Sequence, residues 1–178
     1  MFGTRGSGVL RFYYYWIALF VFVIDYVTKK VIENKLELHE IIPVIGDFFV
    51  ITSIRNRGAA FGILQEQRFF FIAITLVVVS AIVWYIHRNR NGRPLLLVGL
   101  GLVLGGAVGN FLDRALYGEV VDFLQFTFGS YVFPIFNIAD TGICVGVGLI
   151  LLDSFLSMKN ENQETSDTRE HDGQQPIQ

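Results

Sequence analysis

The chain of 178 residues is 52% hydrophobic and only 17% charged, with 17 Phe and a formal net charge of −2. A soluble domain carries about 25% charged residues, so the deficit, with a mean hydropathy of +0.49, argues for a membrane protein. The net charge itself says nothing about partners, with much of the acid in the tail, and no nucleic-acid partner is expected; a single cysteine, Cys144, excludes a disulfide framework.

Four apolar windows follow in chain order. The first covers residues 12–32 and is interrupted by Asp25, Lys29 and Lys30. It is too long for the apolar core of a cleaved signal peptide and carries charge inside it, so it reads as a retained span. Residues 40–66 come next. "IIPVIGDFFVITSI" alternates loosely and is rich in β-branched residues, and "RNRGAAFGI" supplies turn chemistry. A small surface sheet is expected there. The second window, residues 69–86, has no charge, and a short turn with His87, Arg88, Arg90 and Arg93 follows it. The third window, residues 95–112, is charge-free and rich in Gly. A short outer connection or helix then leads to the fourth window, residues 138–156, with Asp140 near its start and Asp153 near its end. Each window is close to the ~20 residues that cross a ~30 Å hydrocarbon core. The expected fold is an all-α membrane protein: four transmembrane helices and a small extracytoplasmic β-sheet, in one domain of residues 1–158. The polar tail, residues 159–178, has no apolar periodicity and is expected to be a disordered cytoplasmic segment.

The basic turn between the second and third windows is the strongest positive-inside signal, so it is expected on the cytoplasmic side. Four spans then leave both termini on that side. This topology brings the awkward polar residues to one depth near the outer leaflet. Asp25 and Lys29 share a face at i,i+4; Asn110, Asp113 and Arg114 follow at i, i+3 and i+4; Asn137 and Asp140 are i,i+3. Ionisable groups inside a membrane are costly and mark function by default. Glycines along the third and fourth windows allow the close helix packing that would bring these patches together.

Two carboxylates sharing one proton around a water can hydrolyse an amide, because like charges force their pKa values apart. Asp140 is one candidate. From the residues alone, Asp122 in "EVVDF" and Asp113 in "NFLDR" compete for the second place. Arg114 cannot act as a base and reads as a scaffold; Asn56, Asn110 and Asn137 orient water, bind a carbonyl or satisfy loop backbone. Three other accounts stand beside a peptidase. A purely structural polar network would also pair these groups. A small ion-coupled transporter would need polar stations across the whole core, and the second and third windows are nearly bare. A lipid-modifying transferase would place its charges at the same depth. No metal or other cofactor is expected, since His39, His87 and His171 show no ligand spacing.

The ordered set "DYVTKK" from Asp25, "RNRGAAFGI" from Arg55, "GGAVGNFLDR" from Gly105, "EVVDF" from Glu119 and "FNIAD" from Phe136 resembles the lipoprotein signal peptidase (signal peptidase II) family. The resemblance covers roughly residues 12–156. It implies a bacterial aspartic endopeptidase of the inner membrane that cuts diacylglyceryl-modified prolipoproteins just before the lipidated cysteine, with membrane phospholipid around it and a monomer as the working unit. By resemblance the catalytic pair is Asp122 and Asp140, which places Asp113 among supporting residues. Asp25, Lys29, Asn56, Gly58, Ala60, Asn110, Arg114, Asn137 and Ala139 are implied as further site support or substrate contacts. Arg57 departs from the family, where Thr or Asn is common between Asn56 and Gly58.

Overall fold

The structure is a computed structural model that describes residues 12–58, 63–89 and 92–172, with side chains through residue 159. The element order is α1 (Tyr13–Lys35), β1 (Ile41–Ile45), β2 (Phe49–Asn56), α2 (Arg68–Arg88), α3 (Pro94–Leu116), β3 (Val120–Phe128), β4 (Tyr131–Val132) and α4 (Ile138–Asp172).

α3 is the centre of the bundle and packs against α1, α2 and α4. Pro94 opens it, at a position whose backbone N–H would have no helical partner anyway. Its glycines explain the closeness. A Cβ at Gly101 or Gly105 would lie 2.6 or 2.4 Å from the carbonyls of Tyr14 and Ala18 on α1, and one at Gly106 would lie 2.3 Å from the carbonyl of Ala139 on α4. Three helix backbones therefore meet at van der Waals distance, which apolar association in lipid requires. Gly142 and Gly146 extend this packing on α4, whereas Gly148 faces open space. α1 answers with one buried stripe, Tyr14, Ala18, Val21, Asp25, Lys29 and Ile32, at steps of three and four residues. An apolar cluster of Tyr14, Ala18, Ile82, Ile86, Leu97, Val103 and Leu104 fills the bundle at the end away from the sheet.

The outward faces are apolar too. Phe69, Val77, Leu151 and Phe155 are 82, 69, 65 and 66% exposed, a surface suited to lipid rather than water. Among the described residues, three helices are long and apolar enough to cross a membrane: Arg68–Arg88, Pro94–Leu116 and Ile138–Lys159. α1 has the length, at 23 residues, but carries Asp25, Lys29 and Lys30 within one turn and a half. By length and composition the described residues thus give three spans, not the expected four.

Two expectations are corrected. The connection between α3 and α4 contains strands, not a helix. β3 pairs antiparallel with β2 and β4, giving one sheet in the order β1-β2-β3-β4. Its sequence, "VVDFLQFTF", is β-branched and aromatic, which favours a pleated strand once a partner edge is present. The second correction is in the tail, where α4 continues as helix to Asp172 rather than losing regular structure after residue 158. A helix already nucleated in the preceding span extends at the small cost of propagation. Residues 173–178 lie outside the described residues.

Candidate active site

Asp122 sits on β3 and is 3% exposed. The antiparallel register sets Asp122 against Ile54 and Val120 against Asn56, so the end of β2 is held beside it. Asn56 Nδ2 donates to Asp122 Oδ2 at 2.8 Å, and Asn137 Nδ2 donates to Oδ1 at 2.7 Å. Asp140 is set differently, by the start of α4. Asn137 Oδ1 accepts from the Asp140 N–H at 2.9 Å, and Asp140 Oδ2 accepts from the Asn137 N–H at 3.3 Å. This reciprocal pair is a capping box, which satisfies two helix-end donors and fixes the Asp140 rotamer. Asn110 Nδ2 donates to Asp140 Oδ1 at 2.7 Å. Each carboxylate is therefore oriented by neutral amide donors, and Asn137 touches both.

The two aspartates line one cavity of ≈ 530 Å³. Asn56, Gly58, Asn110 and Arg114 share its polar wall, and Phe133, Phe136, Ile143 and Val145 contribute apolar surface. Burial raises the Asp122 pKa from 3.8 to about 7, with repulsion from Asp140 adding to it; the bonds from Asn56 and Asn137 and the charge of Lys29 oppose the rise. The pair is thus built to keep a proton near neutral pH, as two carboxylates in one dry site must.

Behind this wall lies an ionic layer. Lys29 Nζ is 2.7 Å from Asp25 Oδ2 and 2.8 Å from Asp113 Oδ2, and it donates to Asn110 Oδ1 at 2.9 Å. Asp25 Oδ1 accepts from the Ala139 N–H at 2.8 Å, at the start of α4. Asp113 is buried in this layer and does not line the cavity. Asn110 joins the two layers, taking Lys29 on one side and giving to Asp140 on the other. Arg114 faces the cavity and donates to the Gly58 carbonyl at 2.9 Å, while the Gly58 N–H donates to Asn56 Oδ1 at 2.9 Å.

The sequence profile of the signal peptidase (SPase) II family matches residues 17–156. The chain belongs to the signal peptidase II family. Curated relatives agree. A lipoprotein signal peptidase of Brevibacillus brevis is 54% identical over 147 residues, covering 83% of this chain and 97% of that protein. One of Bacillus pumilus is 49% identical over 154 residues, covering 86% and 99%. A solved bacterial membrane enzyme superposes with a TM-score of 0.76 at 41% identity, over 82% of this chain and 88% of that one. Membership makes the chain an aspartic-type membrane peptidase of lipoprotein processing.

Around this cavity and the ionic layer behind it, the fold brings together every expected residue that it describes: Asp25, Lys29, Asn56, Gly58, Asn110, Asp113, Arg114, Asp122, Asn137, Ala139 and Asp140. Ala60 lies outside the described residues. Among the described residues, no group of three or more His, Cys, Asp or Glu is arranged to hold a metal ion. Sequence reasoning missed the neighbours that brace Arg114, namely Arg68 and Phe71. The one usable signal is an arginine opening a helix that carries no further charge until its last turn.

Proposed function

We propose that Asp122 and Asp140 are the catalytic dyad, and that the chain removes signal peptides from diacylglyceryl-modified prolipoproteins by cutting before the lipidated cysteine. One observation carries this reading: two carboxylates, from a strand and from a helix start, face one cavity and are each held by neutral amides. A water between them loses a proton to Asp140 as its oxygen adds to the scissile carbonyl carbon. Asp122, protonated at neutral pH and below, donates to the carbonyl oxygen. The tetrahedral diol collapses: one hydroxyl returns its proton to Asp122 as the carbonyl re-forms, the C–N bond breaks and the leaving nitrogen takes the proton from Asp140. Arg114 is suited to hold a substrate carbonyl at the rim. The apolar wall, with Thr141 and Cys144, suits the signal segment and acyl chains.

In this reading α1 is the fourth span. Its Asp25 and Lys29 are turned inward and paired, which makes burial in a membrane tolerable. The basic turn after α2 lies in the cytoplasm of a bacterial cell, both termini lie on the same side, and the site is near the outer leaflet of the inner membrane. One chain holds the whole pair, so a monomer suffices. Transport is disfavoured because, among its described residues, α2 has no ionisable side chain between Arg68 and Tyr85. The deciding experiment is cleavage of a purified, diacylglyceryl-modified prolipoprotein in detergent. Folded Asp122→Asn and Asp140→Asn variants should each lose at least about a hundredfold in rate. Cleavage retained by either folded variant would remove that residue from the dyad.

A further inference from the structure

α2 has one inward stripe. It runs from buried Ile86 and Ile82 through half-buried Val79, Thr75, Ile72 and Phe71 to Arg68. Full burial occurs only toward the helix end remote from the site. At the near end, the stripe finishes in two residues that grip the same point on α3. Arg68 Nε donates to the Arg114 carbonyl at 2.8 Å, and its Nη2 donates to the Ala115 carbonyl, also at 2.8 Å. Phe71, one turn along, lies under the Arg114 guanidinium, 4.7 Å from Cζ to ring centroid.

α3 ends at Leu116, so these carbonyls are among the last four of the helix; the Arg114 carbonyl also accepts from the Gly118 N–H at 3.1 Å, so Arg68 and the turn out of α3 meet on one oxygen. The chain leaves α3 through Gly118, at φ +81, and enters β3 at Val120. A Cβ on Gly118 would meet the Arg68 side chain at 3.4 Å, so arginine and turn are in contact. Only Glu119 separates that turn from the strand that carries Asp122.

We propose that Arg68 and Phe71 are positioning residues for the reaction. Arg68 fixes the main chain of Arg114 and the exit of α3 toward Asp122. Phe71 fixes the guanidinium of Arg114 at the cavity rim, from which it bonds the Gly58 carbonyl. Gly58 in turn holds Asn56, a donor to Asp122. The two contacts thus reach the dyad from both sides: along the chain from α3 into β3, and across space through Gly58 and Asn56. A guanidinium suits this task because its fork serves two carbonyls at once, whereas an ammonium offers one point charge. The ring beneath Arg114 adds a cation–π contact that an aliphatic residue cannot supply.

The inference rests on the proposed site. Its test is a set of purified full-length proteins cleaving the lipid-modified precursor: wild type, Asp122→Asn, Arg68→Ala, Arg68→Lys, Phe71→Leu, Phe71→Tyr and Arg114→Lys, with each α2 change also made in Arg114→Lys. Arg68→Ala and Phe71→Leu should each lower kcat/KM about tenfold or more, as expected when a catalytic neighbour shifts by a fraction of an ångström. Phe71→Tyr should restore nearly all of it, and Arg68→Lys only part. In the Arg114→Lys background, Phe71→Leu should cost less than about twofold, because the group it positions is gone. A purely structural helix contact predicts otherwise: a lower Tm, kcat/KM of the folded protein within about twofold of wild type, and losses that multiply. That outcome overturns the inference. The Phe71 variants leave both carbonyl bonds intact, so they decide the matter if Arg68→Ala does not fold. An inactive Asp122→Asn beside a fully active Phe71→Leu would defeat this inference alone, whereas an active Asp122→Asn would defeat the site reading.

Discussion

Asp122 offers the most direct pH test. Its carboxyl is raised to about 7. Between its ordinary pKa of 3.8 and about 7, the folded chain keeps a proton that the unfolded chain releases. The folded state then binds more protons, so this group's contribution to stability falls as pH rises through that window and levels off above it. Asp122→Asn removes the titration. Its Tm relative to wild type should therefore rise from pH 4 to pH 7 by a few degrees and then stay constant; a difference that is flat across the range would refute the assignment. Activity has the opposite constraint. The shared proton is lost as pH passes about 7, so kcat should decline on the alkaline side with a midpoint near there. Lys29 is the other decisive residue, a buried ammonium between Asp25 and Asp113. Lys29→Met leaves two buried carboxylates without their cation, which should cost about 3–5 kcal/mol. Denaturation in detergent at neutral pH would show it.

At the scale of elements, the approach of α1 to α3 is set by a column of glycines. Gly109 is the position nearest the chemistry, because a Cβ there would sit 2.5 Å from Asp25 Oδ2. Gly109→Ala should displace the carboxylate that accepts from the Ala139 N–H, loosening the start of α4 on which Asp140 depends. The expected cost is about 1–3 kcal/mol of stability, with a fall in kcat. Gly148→Ala, which meets open space, should do neither, and thermal melts with cleavage assays on both variants would check the contrast. These helices were legible from the sequence because apolar runs of membrane length and glycine spacing are local signals. The polar residues were legible as a group because topology alone put them at one depth. β3 was not. Its alternation is weak on both faces, and only pairing to β2, more than sixty residues earlier, makes it a strand. Asp113 and Asp122 could not be separated by spacing for the same reason: what distinguishes them is that one meets Lys29 from α1 and the other meets Asn56 from β2.

For the whole molecule, the question is the direction from which a substrate reaches the dyad. Asp140, Thr141, Cys144 and Val145 lie on one face of α4 at i, i+1, i+4 and i+5, and all line the cavity. Thr141, Cys144 and Val145 are exposed, so the cavity wall continues onto an outward face of a membrane-length helix. On the proposed reading, such an opening would face the bilayer and admit a substrate that is itself anchored in lipid and moving in two dimensions. The chain's only cysteine supplies a probe of that opening. Alkylation of Cys144 by a bulky apolar maleimide should fill the passage one helical turn below Asp140 and suppress cleavage of the lipid-modified precursor by at least about tenfold. Cys144→Ala should cleave normally and ignore the reagent. A small, charged, membrane-impermeant thiol reagent should react much more slowly, because the thiol is presented toward hydrocarbon rather than water. Equal reaction with both reagents would place the opening in water, and unimpaired cleavage after full alkylation would mean that the substrate does not pass this face of α4.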